Sequence, residues 1–346
     1  MIKLPVKNKK AYYITDRLIR KFITGIDIAE GVLLITDTME YYTDARYFSG
    51  VSSLIESKGI TAKLYQGQQS LKEFIDLKGL NALMVDYNTT TVKEFNELKK
   101  LGVKIQDCSA TLQRARAKKS GEELKSIKKA CKIVEQAVWF AIQNLTLGMT
   151  EIELKDILEE KMISLGGQGV SFETIVAFGE NSAVPHHQTG NTKLKENSVI
   201  LIDAGCKVNG YCSDITRTFF YGKPNQNFID CYNAVLKANL IAIENIRAGT
   251  VTKDADAFAR DVLKEKGLDK YFTHSLGHGV GLEIHEYPSL SSKTEQKLIN
   301  GMVFTIEPGV YIDGEFGIRI EDTVMLSKGK VKRLYTDDKQ LKLIKN

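Results

Sequence analysis

The length of the chain, 346 residues, and its 43% hydrophobic content predict two or three globular domains with apolar cores. Its formal net charge of +5 comes from lysines interleaved with glutamates, which indicates a solvated surface and argues against a nucleic-acid partner. The longest apolar runs, such as VLLIT and SVILI, have only the length of a strand, so we expect no membrane span.

The five cysteines bear on the cellular compartment. Their number is odd and they form no CxxC pair, which favours free thiols in a reducing compartment. Residues 1–22 lack an apolar core followed by a small-residue cleavage site, so we expect no export signal. The sequence therefore predicts a cytoplasmic protein.

Residues 1 to about 115 alternate between two kinds of pattern. The runs GVLLIT, MEYYT, AKLYQ, ALMVDY and VKIQD predict strands, and SLKEFIDLK and TVKEFNELKKL predict helices. This alternation is typical of an α/β layer domain. The segment RARAKKS, residues 114–120, is charged and poor in apolar residues, which suits a link between domains. We therefore predict domains over residues 1–115 and 116–346.

The second half begins with two helix-start signals. Ser120 with Glu123, and Thr150 with Glu153, each form a capping box, and the first of these helices is predicted to extend to about Leu145. The strand SFETIVAFG follows the second helix. A hairpin, NSVILIDAGCKVNGYCSDITRTFFYG, is then predicted to turn at residues 209–210.

The same order of elements then recurs. Helical patterns over about 226–247 and 253–266 lead through SLGHGVGLEIHE to a second hairpin, MVFTIEPGVYIDGEFGIRIEDTVML. Helix, helix and hairpin thus occur twice at an offset of roughly a hundred residues, which predicts two similar halves. We expect a site shared between the two halves.

The first hairpin places aspartates within apolar sequence. Asp203 ends the strand SVILID, where an unpaired buried carboxylate costs several kcal/mol without a cation nearby. If Asn209 and Gly210 form a two-residue turn, Asp203 pairs with Thr216 and Asp214 is a diagonal neighbour on the same face. The alternative is that both aspartates merely cap strand ends.

The second hairpin contains two glutamates in apolar strands. A two-residue turn at Asp313 and Gly314 would place Glu307 and Glu321 on opposite faces. A three-residue loop that includes Glu315, or a bulge beside the proline that follows the first glutamate, would place them opposite each other on one face. A shared site requires one of the latter arrangements.

The histidines are concentrated near these hairpins. All five lie within one hundred residues of the second half: His186, His187, His274, His278 and His285. Any one of them alone could be an ordinary loop residue.

Four carboxylates with one imidazole form a hard ligand set that can hold two divalent ions about 3.5–4 Å apart, and such a pair promotes hydrolysis. Manganese fits this set best, with cobalt or zinc as alternatives. The sequence has neither a GxGxxG fingerprint nor a GxxxxGK[ST] loop, so we expect no nucleotide cofactor.

Several segments resemble a known family. AVPHH, LIDAGCKVNGYCSDITRTF, HSLGHGVGLEIHE, FTIEPGVYI and GIRIED are similar, in order and spacing, to the pita-bread metallopeptidases that include Xaa-Pro dipeptidase and aminopeptidase P. The resemblance covers essentially the whole chain. It implies an α+β fold in which a smaller creatinase-type α/β domain precedes a pita-bread catalytic domain.

The resemblance also implies an activity. The chain would be a dinuclear-metal aminopeptidase that cleaves the bond between an N-terminal residue and a following proline, and it would form a homodimer. The metal ligands implied are Asp203, Asp214, His278, Glu307 and Glu321. Asp203 would hold one ion, Asp214 and Glu321 would bridge both, and His278 and Glu307 would complete the second.

Other residues match positions around the substrate. Glu307 would also move a proton, and His186, His274 and His285 would line the substrate pocket. Arg319 would order the site and the substrate. Tyr211 and Thr216 match positions beside the ligands, and we expect Thr216 to hydrogen-bond the carboxylates. The resemblance implies no role for His187.

Two departures from the family pattern leave alternatives open. Phe316 and Gly317 replace paired glycines before the arginine, and Ala204 replaces a larger apolar residue, so the preferred peptide length stays open. The same ligands would suit an enzyme like methionine aminopeptidase, although the long N-terminal domain argues against it. A non-catalytic binding scaffold of the same fold is the other alternative, and the complete ligand set argues against that.

Overall fold

A computed structural model describes residues 4–6 and 9–345 of the chain. The chain forms two compact units, Met1–Arg116 and Ala117–Asn346. The segment in which we expect no export signal, residues 1–22, lies partly outside the described residues. Among the helices that the structure describes, none combines the length and apolar character needed to cross a bilayer.

The N-terminal unit contains a six-stranded sheet with helices after several of its strands. The strands are β1 (Lys10–Ile14), β2 (Val32–Ile35), β3 (Met39–Thr43), β4 (Thr61–Leu64), β5 (Ala82–Val85) and β6 (Lys104–Asp107). The helices are α1 (Arg17–Thr24), α2 (Ala45–Ser57), α3 (Gln68–Lys78), α4 (Val92–Lys99) and α5 (Ser109–Ala117). The sheet order is β4-β3-β2-β1-β5-β6, and only β2 runs antiparallel to its neighbours within this described sheet.

The predicted elements of this unit are present, but the prediction was incomplete. All five expected strands and both expected helices form, whereas β1, α1, α2 and α5 were not predicted. Strand β1 is central and buried along nearly its whole length, so it lacks the alternation that marks a half-exposed strand. Helix α2 buries only Ile55, so it lacks a clear apolar stripe.

The predicted interdomain link, residues 114–120, begins within a helix. Helix α5 continues to Ala117, and both Leu112 and Ala117 on it are buried. The charged residues between them therefore belong to a helix rather than to a loop. Residues 118–120 alone lie between α5 and the next helix.

The C-terminal unit contains four helices and two main sheets among the described residues. The helices are α6 (Gly121–Gln143), α7 (Glu151–Ser164), α8 (Gln226–Asn245) and α9 (Thr252–Lys264). The strands are β7 (Ile175–Phe178), β8 (Ser198–Ala204), β9 (Lys207–Val208), β10 (Tyr211–Cys212), β11 (Ile215–Tyr221), β12 (Gly277–Gly279), β13 (Glu286–Leu290), β14 (Val303–Ile306), β15 (Gly309–Ile312), β16 (Phe316–Arg319), β17 (Asp322–Ser327), β18 (Lys330–Arg333) and β19 (Leu343–Ile344). The main sheets have the orders β19-β11-β8-β7 and β13-β12-β14-β17-β18.

The internal repetition predicted from the sequence is present. Both capping boxes form with reciprocal hydrogen bonds, at Ser120 with Glu123 and at Thr150 with Glu153. One apolar core lies around α6 and α7 with the first sheet, and a second lies around α8 and α9 with the second sheet. Each half thus consists of two helices packed on antiparallel strands, as expected.

The register of the first hairpin agrees with the prediction. Asn209 and Gly210 join β9 to β10 with φ angles of 52° and 80°, the positive values that a type I′ turn requires. In the longer strands, Asp203 lies opposite Thr216. Cysteines 206 and 212 beside this turn are buried and free, as expected of core residues.

The second hairpin has the three-residue loop that a shared site requires. Ile312 pairs with Phe316, so residues 313–315 form the loop. The pairs Gly309 with Arg319, and Ile306 with Asp322, keep the same register on either side of the glutamates. Residues 307 and 321 are therefore opposite each other, and their side chains point to the same face.

Candidate active site

The two hairpins and the histidine-containing loops enclose one cavity of about 540 Å³ in the C-terminal unit. Its lining includes every metal-ligand and catalytic residue named from the sequence: Asp203, Asp214, His278, Glu307, Glu321, His186, His274, His285 and Arg319. His187 also lines it. Residues that are more than a hundred positions apart in the chain thus meet at one place.

Three of the candidate ligands form the tightest group. Among the described residues, Asp214, His278 and Glu321 each place one ligand atom within 4.8 Å of the others. The Nε2 atom of His278 lies 3.5 Å from Oδ2 of Asp214 and 3.3 Å from Oε1 of Glu307. Asp203 lies in the same cavity, where its Oδ2 atom accepts a hydrogen bond from Arg319 at 2.6 Å.

The buried carboxylates have perturbed acidities. Burial, followed by repulsion from neighbouring acids, raises the pKa of Asp214 and that of Glu321 well above their usual values. Burial likewise raises the pKa of Glu307. Oδ1 of Asp203 is buried and finds no hydrogen-bond partner among the described residues. An added cation would relieve the repulsion and use the free oxygen, so this donor set fits a divalent metal ion.

The tautomer of His278 suits metal binding. Its Nδ1 atom lies 3.1 Å from the carbonyl oxygen of Gly279, which can only accept, so we assign the proton to Nδ1. The unprotonated Nε2 then faces Asp214 and Glu307. Burial lowers the pKa of His278, which keeps the ring neutral. A neutral imidazole held by a backbone carbonyl is the usual state of a metal-binding histidine.

A hydrogen-bonded chain connects His274 to Arg319. Arg319 donates to the hydroxyl of Tyr311 at 2.7 Å, and that hydroxyl lies 2.9 Å from Nε2 of His274. Nδ1 of His274 lies 2.8 Å from the carbonyl of Ser275, so both ring nitrogens already have protein partners. Arg319 also donates to Thr216 at 3.0 Å and to Asp203. It thereby connects three groups of the site.

The remaining histidines differ in exposure and partners. His186 and His285 are exposed at the cavity, where a substrate can reach their rings. The ring of His285 packs edge-on against that of His278, with centroids 4.2 Å apart, and burial lowers the pKa of His285. Nε2 of His187 instead lies 2.9 Å from Oε2 of Glu151.

Hydroxyl groups support the carboxylates. Thr216 donates to Oε2 of Glu321 at 2.6 Å, as expected from the sequence. Thr305 donates to Oε1 of Glu307 at 2.9 Å, a contact that sequence reasoning missed. Thr305 precedes its partner by two residues, so strand alternation alone places both on one face. The hydroxyl of Tyr211, which we expected beside the ligands, donates to Glu123 at the start of α6.

Tyr311 is a second residue that sequence reasoning missed. It lies four residues after Glu307 and therefore has the same strand parity, and it is opposite Gly317. A Cβ atom at Gly317 would lie 2.9 Å from the tyrosine ring and far too close to the carbonyl oxygen of Ser182. Only glycine fits at position 317. The departure from paired glycines noted in the sequence therefore affects position 316 and keeps the glycine that the packing requires.

Glu151 is a third missed residue. It is fully buried at the start of α7, and its carboxylate accepts four hydrogen bonds from the last residue of β7 and the loop that follows it. The donors are the Phe178 and Gly190 amides, the Asn181 side chain and the His187 ring. This loop contains His186, so Glu151 fixes the main chain on both sides of that residue. The sequence signal was a charged residue immediately after a capping threonine, which ordinarily indicates only a helix start.

Comparison with known proteins identifies the family. Residues 125–328, more than half of the chain, match the sequence profile of metallopeptidase family M24. The chain belongs to this family. The predicted relationship to the pita-bread metallopeptidases is thereby confirmed, and with it a hydrolase that uses a divalent metal.

Individual relatives are similar over most of their length. The chain is 39% identical to the Xaa-Pro dipeptidase of Pyrococcus furiosus over 269 residues. This aligned region covers 78% of this chain and 75% of that protein. Its fold matches the Xaa-Pro dipeptidase structure from Bacillus anthracis with a TM-score of 0.91 and 32% identity, over 96% and 94% of the two chains. It matches the X-Pro aminopeptidase structure from Thermotoga maritima with a TM-score of 0.87 and 30% identity, over 97% of each chain. The predicted α+β fold, with an N-terminal α/β domain before a pita-bread domain, is confirmed.

Proposed function

We propose that this chain is an Xaa-Pro peptidase, which hydrolyses the bond between an N-terminal residue and a following proline. The convergence of four acids and His278 in one cavity carries the proposal, because such a ligand set suits a hydrolase with two metal ions. The names of the three relatives support the specificity for proline. We also propose that the two compact units are its N-terminal and catalytic domains.

Five residues would hold the two ions: Asp203, Asp214, His278, Glu307 and Glu321. Manganese is our choice of metal, because four of these ligands offer hard carboxylate oxygens. When bound, such a pair supplies an activated water and polarises the substrate carbonyl. The four candidate acid ligands outnumber the one arginine of the cavity lining, which supports a site for more than a single positive charge.

Glu307 is proposed to move the proton during hydrolysis. Thr305 fixes one oxygen of this carboxylate, and the other lies 4.0 Å from Nδ1 of His274, at the cavity wall. The leaving nitrogen of a peptide bond must gain a proton when the bond is hydrolysed, and the prolyl nitrogen is no exception. A carboxyl group at this place can deliver that proton.

The walls of the cavity suit a prolyl substrate. Phe172, Ile175 and Ile284 contribute apolar surface, against which a pyrrolidine ring can pack. His186 and His285 contribute exposed ring nitrogens, which can hydrogen-bond the peptide carbonyl groups.

The test is an assay of substrates with and without metal. Protein treated with chelator and then given manganese is expected to cleave Ala-Pro or Ala-Pro-Ala, and the ratio of their kcat/KM values gives the preferred peptide length. The Asp214→Ala variant is expected to be inactive, whereas Asp313→Ala, which changes an exposed loop acid, should match the wild type. Turnover of Met-Ala peptides without turnover of Xaa-Pro peptides would contradict the proposal.

Two further properties belong to the proposal. We expect a homodimer, and the mass of the full chain measured by light scattering tests this. The cysteines are free and buried, which supports a location in a reducing compartment such as the cytoplasm.

A further inference from the structure

A buried side-chain amide outside the cavity hydrogen-bonds to the main chain next to both Glu307 and Glu321. Asn239, on α8, is fully buried and donates through Nδ2 to the carbonyl of Ile306 at 2.9 Å and to that of Ile320 at 3.1 Å. Each carbonyl directly precedes one of the two glutamates. A single side chain thus holds the main chain of both strands at the point where the candidate ligands begin.

Lys339 fixes the orientation of this amide. Its Nζ atom lies 2.5 Å from Oδ1 of Asn239 and 2.6 Å from Oδ2 of Asp322. An ammonium group can only donate, so it selects the amide oxygen and turns the NH₂ group toward the strands. Asp322 itself follows Glu321 directly, so the lysine is coupled to the ligand strand by two routes.

The lysine comes from a segment with no regular structure of its own. Residues 334–342 connect β18 to β19 without a helix or strand. Lys339 is nevertheless only 3% exposed, and the hydroxyl of Tyr232 donates to its carbonyl at 2.9 Å. An irregular segment that buries a lysine needs specific partners to offset desolvation, and the partners here are the groups behind the ligands.

We propose that Asn239 and Lys339 are positioning residues that set the affinity of the site for its divalent ions. They hold the main chain at Glu307 and Glu321 in the register that directs both carboxylates into one cavity. Groups that orient metal ligands typically contribute ten- to a hundredfold to metal affinity. The inference rests on the proposed function in one respect, namely that these carboxylates bind metal.

The test measures metal affinity on the full chain rather than activity. Asn239→Asp keeps the size of the side chain and a partner for Lys339, but a carboxylate cannot donate to the two carbonyls. Lys339→Met keeps the length and removes the charge. In titrations of metal-free protein with Mn²⁺, followed by the electron paramagnetic resonance of free ions, we expect Kd to rise about ten- to a hundredfold in both variants. At saturating Mn²⁺, kcat should recover toward the wild-type value.

Tyr232→Phe is the matched control. It removes a buried hydrogen bond to the same segment and leaves Asn239 and Lys339 unchanged. The melting temperature of each metal-free variant reports on the fold. We expect the control to lower the melting temperature while leaving Kd within about twofold of the wild-type value, because loss of one hydrogen bond weakens the fold without releasing the ligand strands.

The possible outcomes separate the inference from the proposed function. A wild-type protein that binds no Mn²⁺ would overturn the proposed function and this inference with it. Wild-type binding with Kd unchanged in both variants would overturn the inference alone. An equal loss of Mn²⁺ affinity in Tyr232→Phe would also overturn the inference, because the loss would then follow from general destabilisation of the fold. If Lys339→Met does not fold, Lys339→Gln replaces it, with an expected loss smaller than that of Asn239→Asp.

Discussion

Glu321 and Asp322 are adjacent and both buried, yet their acidities shift in opposite directions. Burial and neighbouring acids raise the pKa of Glu321, which faces the cavity. Burial alone would raise the pKa of Asp322 too, but the cations around it outweigh this effect and hold its pKa well below the usual range. The fold thus surrounds the structural carboxylate of Asp322 with cations, whereas it leaves the carboxylate of Glu321 beside other acids.

The cations that neutralise Asp322 behind the cavity are side chains of the protein itself. Arg217 lies 2.9 Å from Asp322, Arg333 lies 2.9 Å from it, and Lys339 lies 2.6 Å from it. Arg217 also pairs with Asp337 at 2.6 Å. On the cavity side, Arg319 is the one lysine or arginine among the lining residues, which include five acids. The excess of negative charge on that side is what makes the cavity a candidate metal site.

The largest effect should follow from removing a ligand. Glu321→Ala is expected to lower kcat/KM for an Xaa-Pro substrate by more than about 100-fold, since loss of a ligand exceeds the typical loss of a group that orients one. Bound metal, measured by elemental analysis, should fall as well. Unchanged turnover would contradict the assignment of this residue as a ligand.

Removing the structural carboxylate should instead destabilise the fold. Asp322→Asn removes the carboxylate partner of buried Lys339 and leaves Arg217 and Arg333 with Asp337 alone, so we expect the free energy of unfolding of metal-free protein to fall by about 3–5 kcal/mol. Urea denaturation measures this change. Asp338→Asn, at an exposed acid paired with Lys342, is the control and should stay within about 0.5 kcal/mol of wild type. Equal losses of stability in the two variants would contradict a special structural role for Asp322.

A cavity residue that binds substrate rather than metal should affect turnover alone. His285→Ala is expected to reduce kcat by about 100-fold, the usual contribution of a group acting on the reacting peptide, while bound metal stays near the wild-type amount. Parallel measurements of kcat and metal content decide the case. An equal loss of metal would make His285 a ligand.

The pH dependence of stability should separate the two regions by its sign. Glu321 and Asp214 have pKa values that are raised in the folded state, so above the unfolded value near 4 the folded protein binds more protons. The stability of metal-free protein should therefore fall as the pH rises through the folded pKa values. Each of these protons contributes at most about 1.4 kcal/mol per pH unit.

Asp322 should act in the opposite direction. Its lowered pKa contributes stability above the unfolded value, and that contribution is lost in acid. Urea denaturation of metal-free wild type and Glu321→Gln from pH 5 to 8 tests the difference, because the variant removes one titrating group of the cavity. The variant should show the shallower loss of stability as pH rises. An identical slope would mean that Glu321 does not titrate as described.

Much of the candidate site could be predicted because its candidate ligands are charged residues in sequence that otherwise predicts buried strands. Asp203 and Glu321 stand in runs that are otherwise apolar, and a charge in a buried strand needs a reason. Strand alternation then predicted that Asp203 lies opposite Thr216, and it restricted the second hairpin to a three-residue loop or a bulge. These deductions use only local sequence and pairing geometry.

The supporting residues could not be predicted in this way. Asn239 and Glu151 act on main-chain groups that are distant in sequence, and nothing in a helix pattern identifies those partners. Lys339 lies in a segment without periodicity, where a lysine ordinarily indicates a solvated loop. In the N-terminal unit, β1 and α2 were missed for a related reason, since their burial depends on neighbours rather than on their own pattern.

The pairing of β15 with β16, rather than the exposed loop at residues 313–315, restricts how the protein can be altered. Side chains alternate along a strand, so an insertion of one residue within either strand would turn one of the two glutamates away from the cavity. Residues added at the tip leave the paired strands in register, and exposed tips tolerate added chain. A peptide tag or a longer specificity loop should therefore be grafted at the tip and not within the strands.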